Sequence, residues 1–351
     1  MDWKEQLPTL LEGKTQILDV RQFSGTIILP AGLQVRAPER EELEAVTDLL
    51  ITCDIADYSE ADTTVEDLLV EWERKDFELA KDARVVVTSA GAMIAYTDVW
   101  KRGSDIYITH NTCVHPAYRG QGIEPYLYHL AENLAGEHCA QFHPGEPCRV
   151  STVSLNAENR HLLEQEGYHL VKQDWRMEIT MNEAPPVPHW PEGLHVRTFV
   201  PGQDDRAVHK AVMEAFADLG HHRDTNFEEW ERSTLKRQDF DPSLCFLVMD
   251  GEQIAGVILG FINPDMGWVR HLAVRRPWRG RGCGLNLLYE AFGGYYRRGL
   301  RRVGLVVDSR NATGATRLYV HAGMHVVREF DTYQKALHVG KQAGESQARF
   351  Q

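Results

Sequence analysis

A loop rich in glycine and arginine in the second half of the chain is the strongest candidate for chemistry. It reads RRPWRGRGCG and lies between the strand-like run HLAV and a long amphipathic helix pattern. Gly280, Gly282 and Gly284 let the backbone approach a ligand closely and turn sharply into the helix. The start of that helix offers unpaired N–H groups and the positive end of the helix dipole. With Arg279 and Arg281 adding charge, the loop predicts a diphosphate site, although a plain strand-to-helix turn is the alternative.

Two familiar kinds of phosphate loop fit this segment poorly. It has no G-K-[ST] sequence, which argues against a P-loop nucleotidase. It also stands in the middle of a mostly antiparallel series of predicted strands, whereas a dinucleotide-binding loop follows the first strand of a βαβ unit.

The elements that must position the loop occur twice along the chain. Each copy predicts a strand, two helices, a hairpin, a further strand, the loop with its helix, a strand, a helix and a closing strand pair. The hairpin turns fall at Ala90-Gly91 and Asp250-Gly251. Between the copies, residues 183–193 contain four prolines and predict a short, stiff linker. The predicted organisation is an N-terminal extension (1–30), a first domain (31–182), the linker (183–193), a second domain (194–337) and a polar tail (338–351).

The bulk composition excludes several classes of protein. The net charge of −13 argues against a general nucleic-acid binder, because phosphate backbones require clustered positive charge. No secretory signal and no apolar run long enough to span a membrane is present, so we expect a cytoplasmic protein with reduced thiols and no membrane partner. Cys139 and Cys148, with His138 and His143 nearby, match no common zinc spacing, and no metal site is predicted.

These motifs together resemble the GNAT superfamily of acetyl-CoA-dependent acetyltransferases. Residues 279–284 match the R/Q-x-x-G-x-G/A coenzyme motif of that family. Asn311, Ala315, Leu318 with Tyr319, and Gly323 with Met324 match its N…A…LY…G-F pattern. The resemblance covers both halves of the chain. In this organisation the chain is similar to the two-domain enzymes that include mycothiol synthase. It implies an α/β (α+β) fold of two tandem GNAT domains, each a mixed, mostly antiparallel twisted sheet flanked by helices.

The resemblance also implies a donor and its binding residues. The donor is acetyl-CoA (coenzyme A), whose pantetheine arm lies between splayed strands beside a β-bulge and pairs with the backbone of the strand before the loop. The Leu272 N–H would stabilise the developing oxyanion. The implied coenzyme-binding residues are Leu272, Ala273, Val274, Arg279, Gly280, Arg281, Gly282, Cys283, Gly284 and Asn311.

The expected catalytic residues are Tyr319 and His271. Tyr319 occupies the position of the family's general acid, which protonates the departing thiolate, although it could simply pack the helix on the sheet. Asn311 would contact the pantetheine, cap the following helix, or do both. The family's strand-four glutamate is replaced by Trp268, so His271 on the same strand is the predicted general base. Weaker candidates for the base are His221, His222 and Glu229, and a water relay would need no base side chain.

The first copy departs from the family pattern. Its loop, residues 119–124, ends in Glu124 where the second copy has a glycine, and a carboxylate there opposes a diphosphate. Leu163 stands where the second copy has its tyrosine, and Asn159 is offset from the asparagine position. We therefore expect the first domain to be catalytically silent.

The sequence thus predicts an N-acetyltransferase that acts on a small-molecule amine acceptor by direct attack in a ternary complex, with the second domain active. A monomer or homodimer is expected. Two alternatives remain open: a non-enzymatic acetyl-CoA-binding sensor or scaffold, and a GNAT-like acyl-thioester decarboxylase or S-acyltransferase.

Overall fold

The structure is a computed structural model that describes residues 18–19, 29–101, 107–142, 147–154, 156–217, 225–263, 265–311 and 313–338. Most of the predicted extension, nearly all of the predicted tail, and the candidate bases His221 and His222 lie outside these ranges. The chain forms two compact units. Unit 1 comprises Met1–Val171 and Thr332–Gln351, and unit 2 comprises Lys172–Asp331.

Unit 1 is a sheet with helices on it. Its strands follow the order β2-β3-β4-β5-β6-β13, and all the pairs from β2 to β5 are antiparallel. The strand β5 runs parallel to β6. Its elements are β1 (Leu18–Asp19), β2 (Leu33–Arg36), α1 (Leu43–Tyr58), α2 (Val65–Trp72), α3 (Leu79–Asp82), β3 (Ala83–Thr88), β4 (Met93–Lys101), β5 (Tyr107–Val114), α4 (Ile123–Phe142), β6 (Pro147–Ser154), α5 (Ala157–Gln165) and the second half of β13 (His325–His338).

Unit 2 repeats the plan. Its strands follow the order β13-β7-β12-β11-β10-β9-β8, with antiparallel pairs from β8 to β11, a parallel β11–β12 pair and an antiparallel β12–β7 pair. Its elements are most of β7 (His169–Thr180), β8 (Leu194–Thr198), α6 (Asp205–Phe216), α7 (Phe227–Thr234), β9 (Phe246–Asp250), β10 (Gln253–Asn263), β11 (Met266–Val274), α8 (Cys283–Arg297), β12 (Arg302–Asp308), α9 (Ala315–His321) and the first half of β13. The mixed, mostly antiparallel sheets and both predicted hairpins are confirmed.

Each face of the unit 2 sheet carries its own apolar core. On α8 the buried positions recur at helical spacing and pack with Leu305, Val307 and Tyr319. On α6 the residues Val208, Ala211, Val212 and Ala215 recur in the same way and pack against Leu259 and its neighbours on the other face. Because successive strand residues point to opposite faces, one strand serves both cores.

Two strands near the predicted boundaries differ from expectation. The segment MHVVREFDTYQKAL, predicted as a strand pair, is the single strand β13. The predicted first domain (31–182) includes residues 172–180, which belong to unit 2, because β7 pairs with β12 over seven positions from Arg302↔Thr180 to Asp308↔Asp174. Strand partners this far apart in sequence leave no local pattern, so the compact units do not follow the predicted boundaries.

The proline-rich segment 183–193 forms neither helix nor strand, as its prolines predict. It also packs within unit 2 instead of standing clear of it. Asn286 on α8 holds His189 with two hydrogen bonds, from the His189 N–H to its Oδ1 (3.0 Å) and from its Nδ2 to the His189 carbonyl (2.8 Å). The side chain of Trp190 rests on the α8 core.

The prediction of reduced thiols is wrong for two of the cysteines. Cys139 on α4 and Cys148 on β6 form a disulfide, so these two thiols are not reduced in this structure. The free thiols Cys53, Cys113, Cys245 and Cys283 are all buried. Within the described ranges, no helix has both the length and the apolar character needed to cross a membrane.

A buried carboxyl group lies in the unit 1 sheet. Asp98 on β4 is 1% exposed and accepts hydrogen bonds from the Tyr96 hydroxyl (2.8 Å) and from the Asn111 Nδ2 (3.1 Å). Desolvation by burial outweighs these bonds and raises the pKa of Asp98 to about 6. The folded state therefore favours the protonated carboxyl more than the unfolded state does.

We predict that Asp98→Asn makes unfolding less sensitive to pH. A raised pKa means that Asp98 lowers the free energy of unfolding as pH rises from about 4 to about 6, by roughly 3 kcal/mol in all. Above pH 6 this decrease in the free energy of unfolding is complete. Asparagine cannot ionise, so urea unfolding at pH 4.5 and 7.5 should show the variant gaining stability relative to wild type at the higher pH.

Asp48→Asn on the exposed face of α1 is the control, because it removes one carboxylate without touching the core. A stability difference between Asp98→Asn and wild type that is the same at both pH values would contradict the assignment.

Candidate active site

The site begins where two parallel strands separate. β11 and β12 pair only at Gly267↔Val303 and Trp268↔Gly304, and beyond those positions they diverge. The close approach at this end depends on glycine, because a Cβ on Gly304 would lie 2.8 Å from the ring of Trp268. A gap therefore opens towards the C-terminal end of β11, as the resemblance implies.

The strand β11 carries a bulge beside this gap. Its pairing with β10 shifts between Leu259↔His271 and Gly260↔Val269, so Arg270 is the extra residue. Beyond the bulge, the Arg275 N–H donates to the Ala255 carbonyl on the β10 side (3.0 Å). Since successive backbone groups of a strand alternate in direction, the N–H groups of Leu272 and Val274 point away from β10, into the gap.

A cavity of about 810 Å³ occupies the gap. It is lined by the predicted residues Leu272, Ala273, Val274, Arg279, Gly280, Gly282, Cys283, Gly284, Asn311 and Tyr319. Arg281, also predicted, is exposed and is not part of this lining. The second motif and the loop, which are about thirty residues apart in sequence, thus meet at one cavity.

The loop has the backbone shape that its glycines permit. Gly280 and Gly282 have φ values of 72° and 81°, in the left-handed region that suits glycine, and Gly282 is the N-cap of α8. Gly284 lies in the first turn, where a Cβ would lie 3.0 Å from Cδ2 of Leu318 on α9. The loop therefore brings backbone N–H groups and a helix start to the cavity wall.

Arg279 holds the loop in place. Its Nε donates to the Val274 carbonyl (2.9 Å), and its Nη2 donates to the Ala215 carbonyl at the end of α6 (2.9 Å). These bonds join the loop to β11 and α6. The structure thus gives the guanidinium an anchoring role, and its predicted role towards a diphosphate stays a prediction.

Tyr319 and Asn311 reach the cavity from the segment around α9. The Tyr319 side chain is 7% exposed, and burial raises its pKa to about 12. In the described part of the chain its hydroxyl has no hydrogen-bond partner. Asn311 accepts bonds at Oδ1 from the N–H (2.9 Å) and the hydroxyl (2.5 Å) of Thr313, so it stabilises the turn before α9 while lining the cavity.

The predicted general base, His271, lies outside the cavity lining. His271 pairs with Leu259 and faces the α6 side of the sheet, where its ring packs against Phe216 at 5.8 Å between centroids. Phe216 lines the cavity and His271 does not. Glu229 lies in the first turn of α7 and is also absent from the lining. The base role of His271 stays a prediction.

Several lining residues were missed by the sequence analysis. Lys172 and Asp174 come from β7, before the proline-rich segment, and form an ion pair of 2.8 Å. Their contribution depends on the β7–β12 pairing, which no local pattern predicts. Arg270 and Phe216 also line the cavity. The polar Arg270 within the apolar run WVRHLAV was the one available signal.

The loop of unit 1 has the same backbone shape as that of unit 2, but its amide is bonded by a side chain. Gly120 and Gly122 have φ values of 70° and 85°, and the Gly120 N–H donates to the Glu124 carboxylate (3.2 Å). A side-chain anion thus occupies a loop amide in unit 1. The β4–β5 ladder also runs from Ala95↔Val114 to Lys101↔Ile108 without a register shift, so the bulge of unit 2 has no counterpart there.

Buried polar side chains fill the unit 1 core beside β5. The His110 Nε2 and the Tyr168 hydroxyl are hydrogen-bonded (3.2 Å), and Asn159 bonds the Tyr128 hydroxyl. Burial lowers the pKa of His110 to about 3, so this histidine is neutral. Leu163, at the position that corresponds to Tyr319 of unit 2, is fully buried.

The unit 2 cavity fits coenzyme A in chemical terms. The loop supplies amides and a helix start for a diphosphate. The gap presents the N–H groups of Leu272 and Val274 to the amide groups of a pantetheine arm. The residue at position 284 has no side chain that would obstruct the loop, in contrast to Glu124.

Comparisons with known proteins identify the family of this chain. Residues 209–324 match the acetyltransferase (GNAT) family. A protein named mycothiol acetyltransferase from Thermobispora bispora is 31% identical over 225 residues, which cover 60% of this chain and 70% of the relative. One of the same name from Streptomyces scabiei is 30% identical over 215 residues, covering 58% of this chain and 64% of the relative, slightly less than two thirds.

Solved structures extend the similarity over most of the chain. A GCN5-related N-acetyltransferase from Sphaerobacter thermophilus has 38% identity and a TM-score of 0.74, covering 88% of this chain and 97% of that one. A tandem GNAT protein from the clavulanic acid biosynthesis pathway shares the fold at 16% identity and a TM-score of 0.66, covering 87% and 98%. The protein therefore belongs to the GNAT family and is an acetyl-CoA-dependent N-acetyltransferase.

Proposed function

We propose that unit 2 alone catalyses acetyl transfer, from acetyl-CoA to the amine of a small molecule, by direct attack in a ternary complex. The observation that carries this proposal is the single cavity lined by the loop, the open edge of β11 and Tyr319. A covalent enzyme intermediate is not needed, because one cavity that holds donor and acceptor together supplies much of the rate through proximity.

The chain's own groups support each part of this reaction. The nitrogen lone pair of a neutral amine attacks the thioester carbon, a C–N bond forms and the C–S bond breaks. The Leu272 N–H, which points into the gap, is the proposed donor to the carbonyl oxygen as negative charge develops there. The amine loses one proton and the departing thiolate gains one, so the reaction is balanced in protons.

Tyr319 is the proposed source of the proton for the thiolate. Burial raises the pKa of Tyr319 to about 12, so the hydroxyl stays protonated at neutral pH. The second proton transfer, from the attacking amine, is assigned to His271 through a water relay, since His271 packs behind Phe216.

The same observations support a silent unit 1. Glu124 occupies an amide of its loop, the β4–β5 ladder lacks the bulge, and Leu163 replaces the tyrosine. These three differences affect the diphosphate position, the strand gap and the acid separately. Restoring any one of them would leave the other two. We propose that unit 1 has a structural role.

The names of the relatives suggest one acceptor. Mycothiol acetyltransferases from several actinobacteria are similar to more than half of this chain. An amine related to mycothiol is therefore a candidate acceptor, and it belongs in any panel of amines tested with this protein.

We predict that Tyr319→Phe lowers kcat by about 10²- to 10⁴-fold, the usual contribution of a positioned general acid. Coenzyme affinity should be retained, because only one hydroxyl oxygen is removed from the cavity wall. Coenzyme release followed with a thiol reagent gives kcat, and calorimetric titration gives the affinity.

Tyr295→Phe is the matched control, since it removes the hydroxyl of another buried tyrosine of unit 2 that does not line the cavity. Its hydroxyl donates to the Trp268 carbonyl (2.9 Å), so a small loss of stability with retained kcat is expected. An equal loss of kcat in both variants would refute the acid role of Tyr319.

We also predict that Gly284→Glu, which gives unit 2 the residue of unit 1, abolishes tight coenzyme binding. A carboxylate about 4 Å from a phosphate oxygen costs about 4 kcal/mol at the effective dielectric of a protein surface, so affinity should fall roughly 100-fold or more. Gly284→Ala separates the steric part, because its Cβ would lie 3.0 Å from the flexible end of Leu318 and in ordinary contact with Val274 at 3.8 Å. Equal affinities for the two variants would show that the diphosphate does not lie at this loop.

A further inference from the structure

Arg270 is a cavity residue for which the coenzyme has no evident use. It is the bulged residue of β11, and its exposed side chain lines the cavity. A bulge redirects the side chain of its extra residue, so the position of this guanidinium depends on the same irregularity that accompanies the strand gap. Its carbon Cζ lies 5.6 Å from the centre of the Phe261 ring, which supports the arginine from one side.

The position along β11 separates Arg270 from the other cations of the cavity. The loop begins after Val274, four residues further on, which is about 13 Å along an extended strand. Arg279 is anchored at that end, and Arg310 follows β12 at its C-terminal end. The charge of Lys172 is balanced by Asp174. Arg270 therefore lies towards the end of the cavity where the strands meet, away from the diphosphate position.

The surroundings of Arg270 match an acceptor site. Phe216 at the end of α6 and Val306 on β12 line the same cavity, and Val306 is 47% exposed. The corresponding position in unit 1 is His110, which is fully buried and uncharged, on a ladder without a bulge. The unit proposed to be silent thus lacks both the bulge and the charge.

We infer that Arg270 binds an anionic oxygen group of the acceptor, so that the preferred acceptors are small amines that also carry a carboxylate or a phosphate. The planar guanidinium fork matches both groups, and a charge-assisted hydrogen bond of this kind is stronger than a neutral one. Binding the anion at Arg270 places the acceptor's amine on the side of the cavity opposite the loop. This inference rests on the proposed function of unit 2.

Matched pairs of acceptors test the inference. L-alanine is compared with L-alaninamide, and glucosamine 6-phosphate with glucosamine, so that each pair differs mainly in the anion. We expect wild-type kcat/KM to favour the anionic member of at least one pair by about 10- to 100-fold, the range of a charge-assisted hydrogen bond. The pair that shows the preference identifies the anion as a carboxylate or a phosphate.

Variants at Arg270 assign the preference to this residue. Arg270→Gln should bring the ratio of the preferred pair close to one, Arg270→Lys should restore part of it, and the KM for acetyl-CoA should stay within about twofold of wild type. Arg301→Gln is the matched control, because Arg301 is also exposed and stacked on an aromatic ring, Tyr296 at 3.8 Å, but lies outside the cavity lining. Thermal unfolding verifies that each variant is folded.

The outcomes separate this inference from the proposed function. Turnover of the neutral amines with no preference for either anion, or a preference that survives Arg270→Gln, would overturn the inference and leave the proposed function standing. A rise in the KM for acetyl-CoA in Arg270→Gln, with the ratio unchanged, would assign Arg270 to the donor. Failure to acetylate all four amines and a mycothiol-related amine would overturn the proposed function itself.

Discussion

The separation of β11 from β12 is the constraint on which the unit 2 cavity depends. Backbone groups within a folded protein require hydrogen-bond partners, and a strand that leaves its neighbour presents a row of groups without them. In unit 2 the pairing stops after Trp268↔Gly304, and the N–H groups of Leu272 and Val274 point into the gap. A ligand with amide groups of its own would satisfy these N–H groups, and this supports the proposal that the gap binds the pantetheine arm.

The remaining features of the site follow from that gap. The bulge at Arg270 bends β11 and redirects a charged side chain into the cavity. The loop after β11 is tied to Val274 and to Ala215 by Arg279, so the helix start at Gly282 is fixed relative to the open strand edge. The helix start, where we propose that the diphosphate binds, and the open edge of β11 are thereby held at a set distance, as a coenzyme with a long arm requires.

Unit 1 differs from unit 2 in what contacts its loop amide and in what fills the core beside β5. Its loop keeps the left-handed glycines, so the shape of the turn does not distinguish the two units. The Glu124 carboxylate satisfies the loop amide from within the chain, and tyrosines 128 and 168 with their partners fill the core beside β5. In unit 1, side chains of the protein itself bond the loop amide and fill the space beside β5. In unit 2, we propose that a ligand does so.

The sequence was a good guide where the chemistry is local and a poor one where it is not. The loop residues, the hairpin turns and the Tyr319 motif were all identified from short patterns, because glycine conformation and turn chemistry are properties of neighbouring residues. Lys172 and Asp174 were missed because β7 pairs with β12, more than 120 residues later in the chain. Arg270 needed knowledge of a bulge, which is a property of two paired strands.

The proton transfer that we propose for Tyr319 depends on the relative acidity of the phenol and the thiol. A phenol of pKa about 12 would donate to a thiolate whose thiol has a pKa near 8.5 in water, an uphill transfer of roughly 5 kcal/mol. Those two values refer to different surroundings, however. The cavity that raises the pKa of Tyr319 also contains Cys283, and burial raises the pKa of that thiol too. A thiolate formed beside the buried Tyr319 is destabilised by the same loss of water, so its affinity for a proton rises with that of the phenolate. Burial at this position therefore reduces the difference between the two pKa values while it keeps the phenol protonated.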